Sequence, residues 1–155
     1  MLCTGLKPKS SYILLQLINM AKPVKHAISV IIQNQKGETL FAQRSPHKKE
    51  FPLVWSLPSH FMEDGERPKD TISRIGLYKL GVKLEPIRML NEGYGERPDF
   101  QLFMHDYLVE IVSGKAQIAS DDFVDLKWAN PDEFLPTIKI KGDCTRLYGE
   151  YLARG

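Results

Sequence analysis

The sequence predicts one α/β domain in which a mixed β-sheet lies between helices, with a short extension in front of it. Three observations carry this. From Lys25 onward, short runs rich in Ile, Val and Phe alternate with turn-forming residues, as strands do. Helical patterns are inserted late in that series of strands, which favours a mixed, layered sheet. The 155 residues, 43% of them hydrophobic, suffice for one sizeable core and are too few to require a second.

The elements follow in order. Residues 1–22 read as an extension. Ser10 or Ser11 caps a helix running to about Met20, with Ile13, Leu14, Leu17 and Ile18 as an apolar stripe, and Pro23 stops it. Such a stripe calls for burial on the domain or on a partner; Met20 is an alternative natural start. Residues 23–155 form the domain. His26 to Gln33 is a strand, Gln35-Lys-Gly37 a turn, and Thr39 to Gln43 a second strand. Ser45 to Pro52 is a polar, basic loop, and Trp55 to Met62 holds a short strand. Pro68 to Leu80 is a helix: Pro68 suits a first helical position and Ile72, Ile75 and Leu80 give it an apolar face. Arg88 to Tyr94 and Phe100 to Val112 are strands joined by the loop Gly93-Tyr-Gly-Glu-Arg-Pro98, and Phe123 to Trp128 is the last strand. Asn130-Pro-Asp-Glu133 opens a short helix with a capping side chain, a proline and two acids in its first turn. Thr145 to Leu152 is a terminal helix.

Composition narrows the function classes. A net charge of +2 makes no strong electrostatic case for nucleic acid or membrane. No apolar run approaches the ~20 residues of a membrane span. Cys3 and Cys144 are too few for a disulfide framework or a zinc site, so two reduced thiols in a cytoplasmic protein are expected.

The stretch Trp55-Ser-Leu-Pro-Ser-His-Phe-Met-Glu-Asp-Gly-Glu66, followed by a helix ending Leu80-Gly81-Val82, resembles the Nudix box. That pattern reads G-x(5)-E-x(7)-R-E-U-x-E-E-x-G-U, with U bulky and apolar. With Gly81 on its last glycine, Glu66 takes the first glutamate, Arg74 the arginine and Val82 the final apolar position. The resemblance extends over about Lys25 to Phe134 and implies an α/β/α sandwich. It also implies that Glu66 and Arg74 pair to brace the loop against the helix. The three glutamates that hold metal in the family fall on Ile75, Tyr78 and Lys79. Its first glycine and the neighbouring glycine fall on His60 and Ser59. Active members use Mg²⁺ to stabilise charge on a diphosphate and to activate water, and Mg²⁺ prefers carboxylate and water oxygens. An alkyl group, a phenol and an ammonium do not supply them. No metal cofactor is therefore expected, and no catalytic residue. If the chain does hydrolyse diphosphates, Mg²⁺ or Mn²⁺ would serve, with Glu63 and Glu66 as the fallback catalytic pair and Glu96 or Asp99 as substitute carboxylates.

A second resemblance is to the isopentenyl-diphosphate isomerase branch, through Lys25-His-Ala-Ile-Ser-Val30, Arg44-Ser-Pro-His-Lys-Lys-Glu-Phe-Pro-Leu-Val-Trp55 and Tyr78-Lys-Leu-Gly-Val82. It implies a metal site that would include His26 and His60, with Glu96 or Asp99 nearby. The cysteine of that branch is missing: Pro58-Ser59 occupies its stretch.

The remaining constellation is basic and aromatic. Arg44, His47, Lys48 and Lys49 lead into Trp55, and Lys79 lies on the box helix. Such groups suit phosphate. Tyr94, Phe100 and Phe103 lie near the loop that often shapes the family's pocket, where a ring can stack on a base. The ligand-binding set expected is Arg44, Trp55, His60, Lys79, Tyr94 and Phe103. The expected function is binding of a phosphate-bearing small molecule or nucleotide with little or no hydrolysis. The alternatives are a divergent pyrophosphohydrolase, or a protein or RNA interaction module.

Overall fold

The structure, a computed structural model, describes residues 11–15, 17 and 22–138. The expected terminal helix at 145–152, both cysteines and Ile18 lie outside these residues. Residues 11–15 and 17 are helical, as the extension predicts. Their apolar side chains Tyr12, Ile13, Leu14, Leu15 and Leu17 are exposed, so the burial expected of that stripe is not found among the described residues.

Among the described residues, seven strands form two sheets. The first is mixed, in the order β4 (Ser59–Phe61), β1 (Val24–Ile32), β6 (Gln101–Ser113), β5 (Lys83–Glu96). β1 runs parallel to β6 from Val24 opposite Gln101 to Ile32 opposite Val109, and antiparallel to β4. The second is antiparallel: β3 (Trp55–Ser56), β2 (Thr39–Arg44), β7 (Phe123–Ala129). β1 is central and, from Ala27 to Ile32, buried on both faces, so its side chains there alternate between two cores. Ile28, Val30 and Ile32 join the cluster under the helix after the box loop. Ala27 and Ile31 join a second cluster, closed by Leu135 and Ile138 near the end of the described chain. Helical segments on both sides of the mixed sheet give the α/β/α arrangement.

Two boundaries differ from expectation. Trp55 to Met62 is not one strand. Pro58 cannot continue a ladder, having no N–H, so the chain leaves the second sheet after Ser56, buries Leu57 and enters the first sheet at Ser59. Trp55 and His60 thereby belong to different sheets. The stretch Gly93 to Glu96 is strand rather than loop: each of these residues pairs with β6, and the turn is confined to 97–100, closed by Arg97 N–H to Phe100 O at 2.9 Å.

The helix expected over 68–80 starts as α1 (Pro68–Arg74), where the Asp70 carboxylate accepts the Arg67 N–H at 2.9 Å. It continues as a wide π-turn, Ile75–Leu80, capped by Gly81 with φ of 66°. In an ideal α-helix, positions five apart point to different faces. The wider turn brings Leu80 back beneath Ile75, and both are fully buried. α2 (Pro131–Phe134) begins where expected, with Asn130 accepting the Asp132 N–H at 2.9 Å.

Candidate functional site

The box loop and helix are braced as predicted. Arg74 donates to both Glu66 oxygens, Nε to Oε2 at 2.7 Å and Nη2 to Oε1 at 2.5 Å, and also reaches the Phe61 carbonyl at 3.0 Å. The Glu66 carboxylate accepts the Glu63 N–H at 2.6 Å. The hydrogen bonds from Arg74 hold the Glu66 carboxyl down at about 2. This pair ties α1 to the end of β4 and closes the turn between them.

The three positions that carry metal-binding glutamates in the family take three different directions. Ile75 is in the core. Tyr78 is 65% exposed. Lys79 turns inward, its side chain only 12% exposed, donating to Ser59 O at 2.7 Å and pairing with Asp122 Oδ2 at 3.1 Å. Burial lowers the Lys79 pKa, and Asp122 opposes that shift. Burial would raise the Asp122 carboxyl, but the hydrogen bond from Lys48 and the charge of Lys79 outweigh it and hold Asp122 at about 2. Lys48 and Lys79 therefore share one carboxylate. Asp122 carries no local signal in the sequence: it lies 43 positions beyond Lys79 in the loop before β7.

Beside this cluster opens a cavity of about 320 Å³. Ala27, Leu102 and Met104 on the sheet face make its apolar floor. Arg44, Lys48, His60 and Arg97 line it with basic groups, Glu50 is the one acidic residue of its wall, and Phe51 and Phe61 add two aromatic rings. Burial, then the charges of Lys79 and Arg74, lower the His60 pKa and favour the neutral ring at pH 7. Arg44 is aimed by its own loop, Nε donating to Glu50 O at 3.0 Å. That loop holds Phe51 and Leu53 at φ of 51° and 60° on either side of Pro52. Left-handed backbone costs a residue with a Cβ about 1–2 kcal/mol, and such strain gathers at binding loops.

The expected ligand set divides. Arg44 and His60 are in the cavity wall. Lys79 stands behind it, engaged with Ser59 and Asp122. Trp55 lies in the second sheet with its ring edge against Phe134 at 5.6 Å, beside a different hollow. Tyr94 and Phe103 pack together at 5.1 Å on the opposite face of the mixed sheet, because Phe103 sits opposite His26 in the β1–β6 register.

On that opposite face a wider hollow of about 750 Å³ is lined by His26, His105, Glu63, Asp64 and Glu66 among others. His26 Nδ1 meets His105 Nε2 at 2.9 Å, and His105 Nδ1 lies 3.3 Å from Glu92. His26 is thus joined to His105 in this hollow, while His60 lines the smaller cavity. Glu96 is engaged by Tyr94 and Lys22. Asp99 lies in the turn between β5 and β6. Glu63, 73% exposed, lies 3.7 Å from Arg74. Among the described residues no group of three His, Cys, Asp or Glu side chains is placed to hold a metal ion. The donor set on the box helix does not fit Mg²⁺ or Mn²⁺, which require oxygen ligands where this chain presents an ammonium.

Comparison with known proteins agrees with this fold. Over 121 residues the chain is 27% identical to the NAD-capped RNA hydrolase NudC of Mannheimia succiniciproducens, covering 76% of this chain and 45% of that enzyme, less than half its length. Over 131 residues it is 29% identical to an isopentenyl-diphosphate Delta-isomerase of Corynebacterium glutamicum, covering 75% of this chain and 67% of the isomerase. Its fold matches the MutT protein of Methanosarcina mazei Go1 with a TM-score of 0.76 at 17% identity, over 86% and 96% of the two chains. It also matches the NUDIX domain of Shewanella oneidensis NrtR, solved in complex with ADP ribose, with a TM-score of 0.66 at 19% identity over 86% and 88%. No described helix is long and apolar enough to cross a membrane. The NUDIX domain profile matches residues 23–147, and the chain belongs to that family.

Proposed function

We propose that this NUDIX domain binds a phosphate-bearing small molecule, with a nucleotide as the leading candidate, in the cavity between Arg44 and the sheet floor, with little or no hydrolysis. The observation that carries the reading is the composition of that cavity. Two arginines, a lysine and a histidine outnumber the one acidic residue, Glu50, around an apolar floor flanked by two aromatic rings. Guanidinium and ammonium groups suit phosphate oxygens, and the rings and floor suit the organic part of a ligand. The NrtR domain, which shares the fold, was solved with ADP ribose. The weak-hydrolysis part rests on Ile75, Tyr78 and Lys79, none of which offers a carboxylate. Of the substitute acids, Glu63 and Glu66 are both engaged with Arg74, and Glu96 with Tyr94 and Lys22.

The test is a thermal-shift and calorimetric screen of ADP ribose, nucleotides and isoprenoid diphosphates, followed by Arg44→Met. A ligand that binds only the folded state raises the melting midpoint by mass action. Loss of a charged hydrogen bond should weaken binding by about 1.5–3 kcal/mol. Absence of any stabilisation at millimolar ligand would defeat the binding reading. Turnover of a bound diphosphate at ordinary enzyme rates would defeat the weak-hydrolysis part.

A further inference from the structure

We propose that Lys79 is a tethered cation: its ammonium fills the place, between the Ser59 carbonyl and the Asp122 carboxylate, that a divalent ion would otherwise occupy against the box helix. The box position of Lys79 belongs to a metal-binding glutamate in the family pattern. Here the side chain reaches toward the loop and ends in a positive charge rather than in a ligand for one. Its neighbours are those a cation selects: a carbonyl oxygen at 2.7 Å, a carboxylate oxygen at 3.1 Å and the face of Phe123 at 5.5 Å.

The backbone that carries these oxygens is held in place independently of the Lys79 side chain. Asp122 lies in a segment strapped to the end of the box helix by backbone bonds, Gln117 N–H to Leu80 O and Ala119 N–H to Lys79 O, both at 3.0 Å. Its own carbonyl accepts the Ser45 N–H at 2.9 Å, and its N–H is held by Ser120 at 3.1 Å. Ser59 is fixed in β4, opposite Ser29 of β1. A surface ion pair between two long side chains has no such support. Lys48 contacts the same carboxylate, so the cluster already carries two positive charges around one negative one. A free divalent ion brought to this point would meet both ammoniums. The domain's phosphate pocket would accordingly be assembled without an added metal.

The test needs no nucleotide, so it can fail independently of the binding proposal. Mn²⁺ is titrated into the full chain and followed by the loss of its free electron-paramagnetic signal. Wild type should show no saturable binding at millimolar Mn²⁺. Lys79→Glu removes the resident charge and adds a carboxylate to the two existing oxygens. It should bind one Mn²⁺ at least about tenfold more tightly, since affinity for hard cations follows ligand charge and number. The double variant Lys79→Glu with Asp122→Asn should lose that gain. A folded Lys79→Glu protein that binds no better than wild type would overturn the proposal, and so would wild type binding one ion as tightly. If Lys79→Glu does not fold, Lys79→Met is compared with wild type by thermal shift. Mn²⁺ should then raise the midpoint of the variant and not that of wild type, and equal responses would overturn the proposal.

Discussion

Replacing Glu66 with Gln tests the brace that holds the box loop to its helix. Glu66 accepts two hydrogen bonds from Arg74 and one from the Glu63 backbone, at 2.5 to 2.7 Å. Its carboxyl is held at about 2 against an ordinary 4.5. Fully realised, that difference corresponds to about 3 kcal/mol. The Glu66 side chain is 13% exposed and that of Arg74 22%, so water screens the pair and about 1–2 kcal/mol is the fair expectation at pH 7. The sign follows from the depressed value. The folded state keeps Glu66 ionised while the unfolded chain takes up a proton, so the contribution is complete above pH 4.5 and is lost as pH falls toward 2. Urea unfolding of wild type and Glu66→Gln at pH 6 and pH 3.5 reads this directly. The stability gap between them should narrow by about 1 kcal/mol at the lower pH. A gap that stays constant would show that the charge of Glu66 contributes nothing. Strict additivity in a double-mutant cycle with Arg74→Met would remove the pair itself.

Three further perturbations probe other parts of the fold. Asp106 is buried, bonded to the Ser29 hydroxyl, with Oδ2 unpartnered, and burial raises its carboxyl to about 6. Its raised value favours the folded state only while the group is protonated, so wild-type stability should fall as pH rises from 3.8 through 6, and Asp106→Asn should be the more stable protein at pH 8 by about 1 kcal/mol; denaturant curves at pH 5 and pH 8 check it. Gly76→Ala would place a Cβ 2.7 Å from both Leu84 Cγ and the Val82 carbonyl, so it should cost about 1–3 kcal/mol in urea unfolding despite alanine's better helix propensity. Asn130→Ala removes the cap of α2 and should cost about 1 kcal/mol, read as a lower thermal midpoint.

The parts of the structure legible in the sequence were those encoded by local spacing. The Ile and Val pattern of β1, the apolar face of Ile72, Ile75 and Leu80, and the cap at Asn130 all follow from periodicity or short motifs. The Glu66–Arg74 brace was legible because the two residues lie eight apart in a recognisable frame. Contacts set by register between distant strands were hidden. Nothing near His26 marks His105 as its partner; the parallel pairing of β1 with β6 brings them together. The division of the expected ligand set has the same origin. Tyr94 and Phe103 lie near a plausible pocket loop in the sequence, but the alternation of side chains along β5 and β6 sends them to the face away from Arg44. Trp55 and His60 were separated by Pro58, whose effect on the ladder shows only once both sheets are in place. The π-turn was hidden as well, since Leu80 fits either helix by composition.

On the proposed reading the box keeps its mechanics without the metal chemistry, and this is coherent at the level of single residues. Bracing needs one ion pair, and Glu66 with Arg74 supplies it. Metal chemistry needs several carboxylates at once, so losing them one by one would leave misfit groups behind. None is left here. Ile75 adds apolar burial to the core, and Tyr78 stands in solvent. Lys79 is the demanding case, because an ammonium taken out of water without a partner is strongly unfavourable. Its partners come from two separate stretches of chain: the β4 backbone supplies a carbonyl, and the loop before β7 supplies a carboxylate. On the tethered-cation proposal, a cation at that end of the box helix is still part of the folded design, with its charge carried on the chain itself.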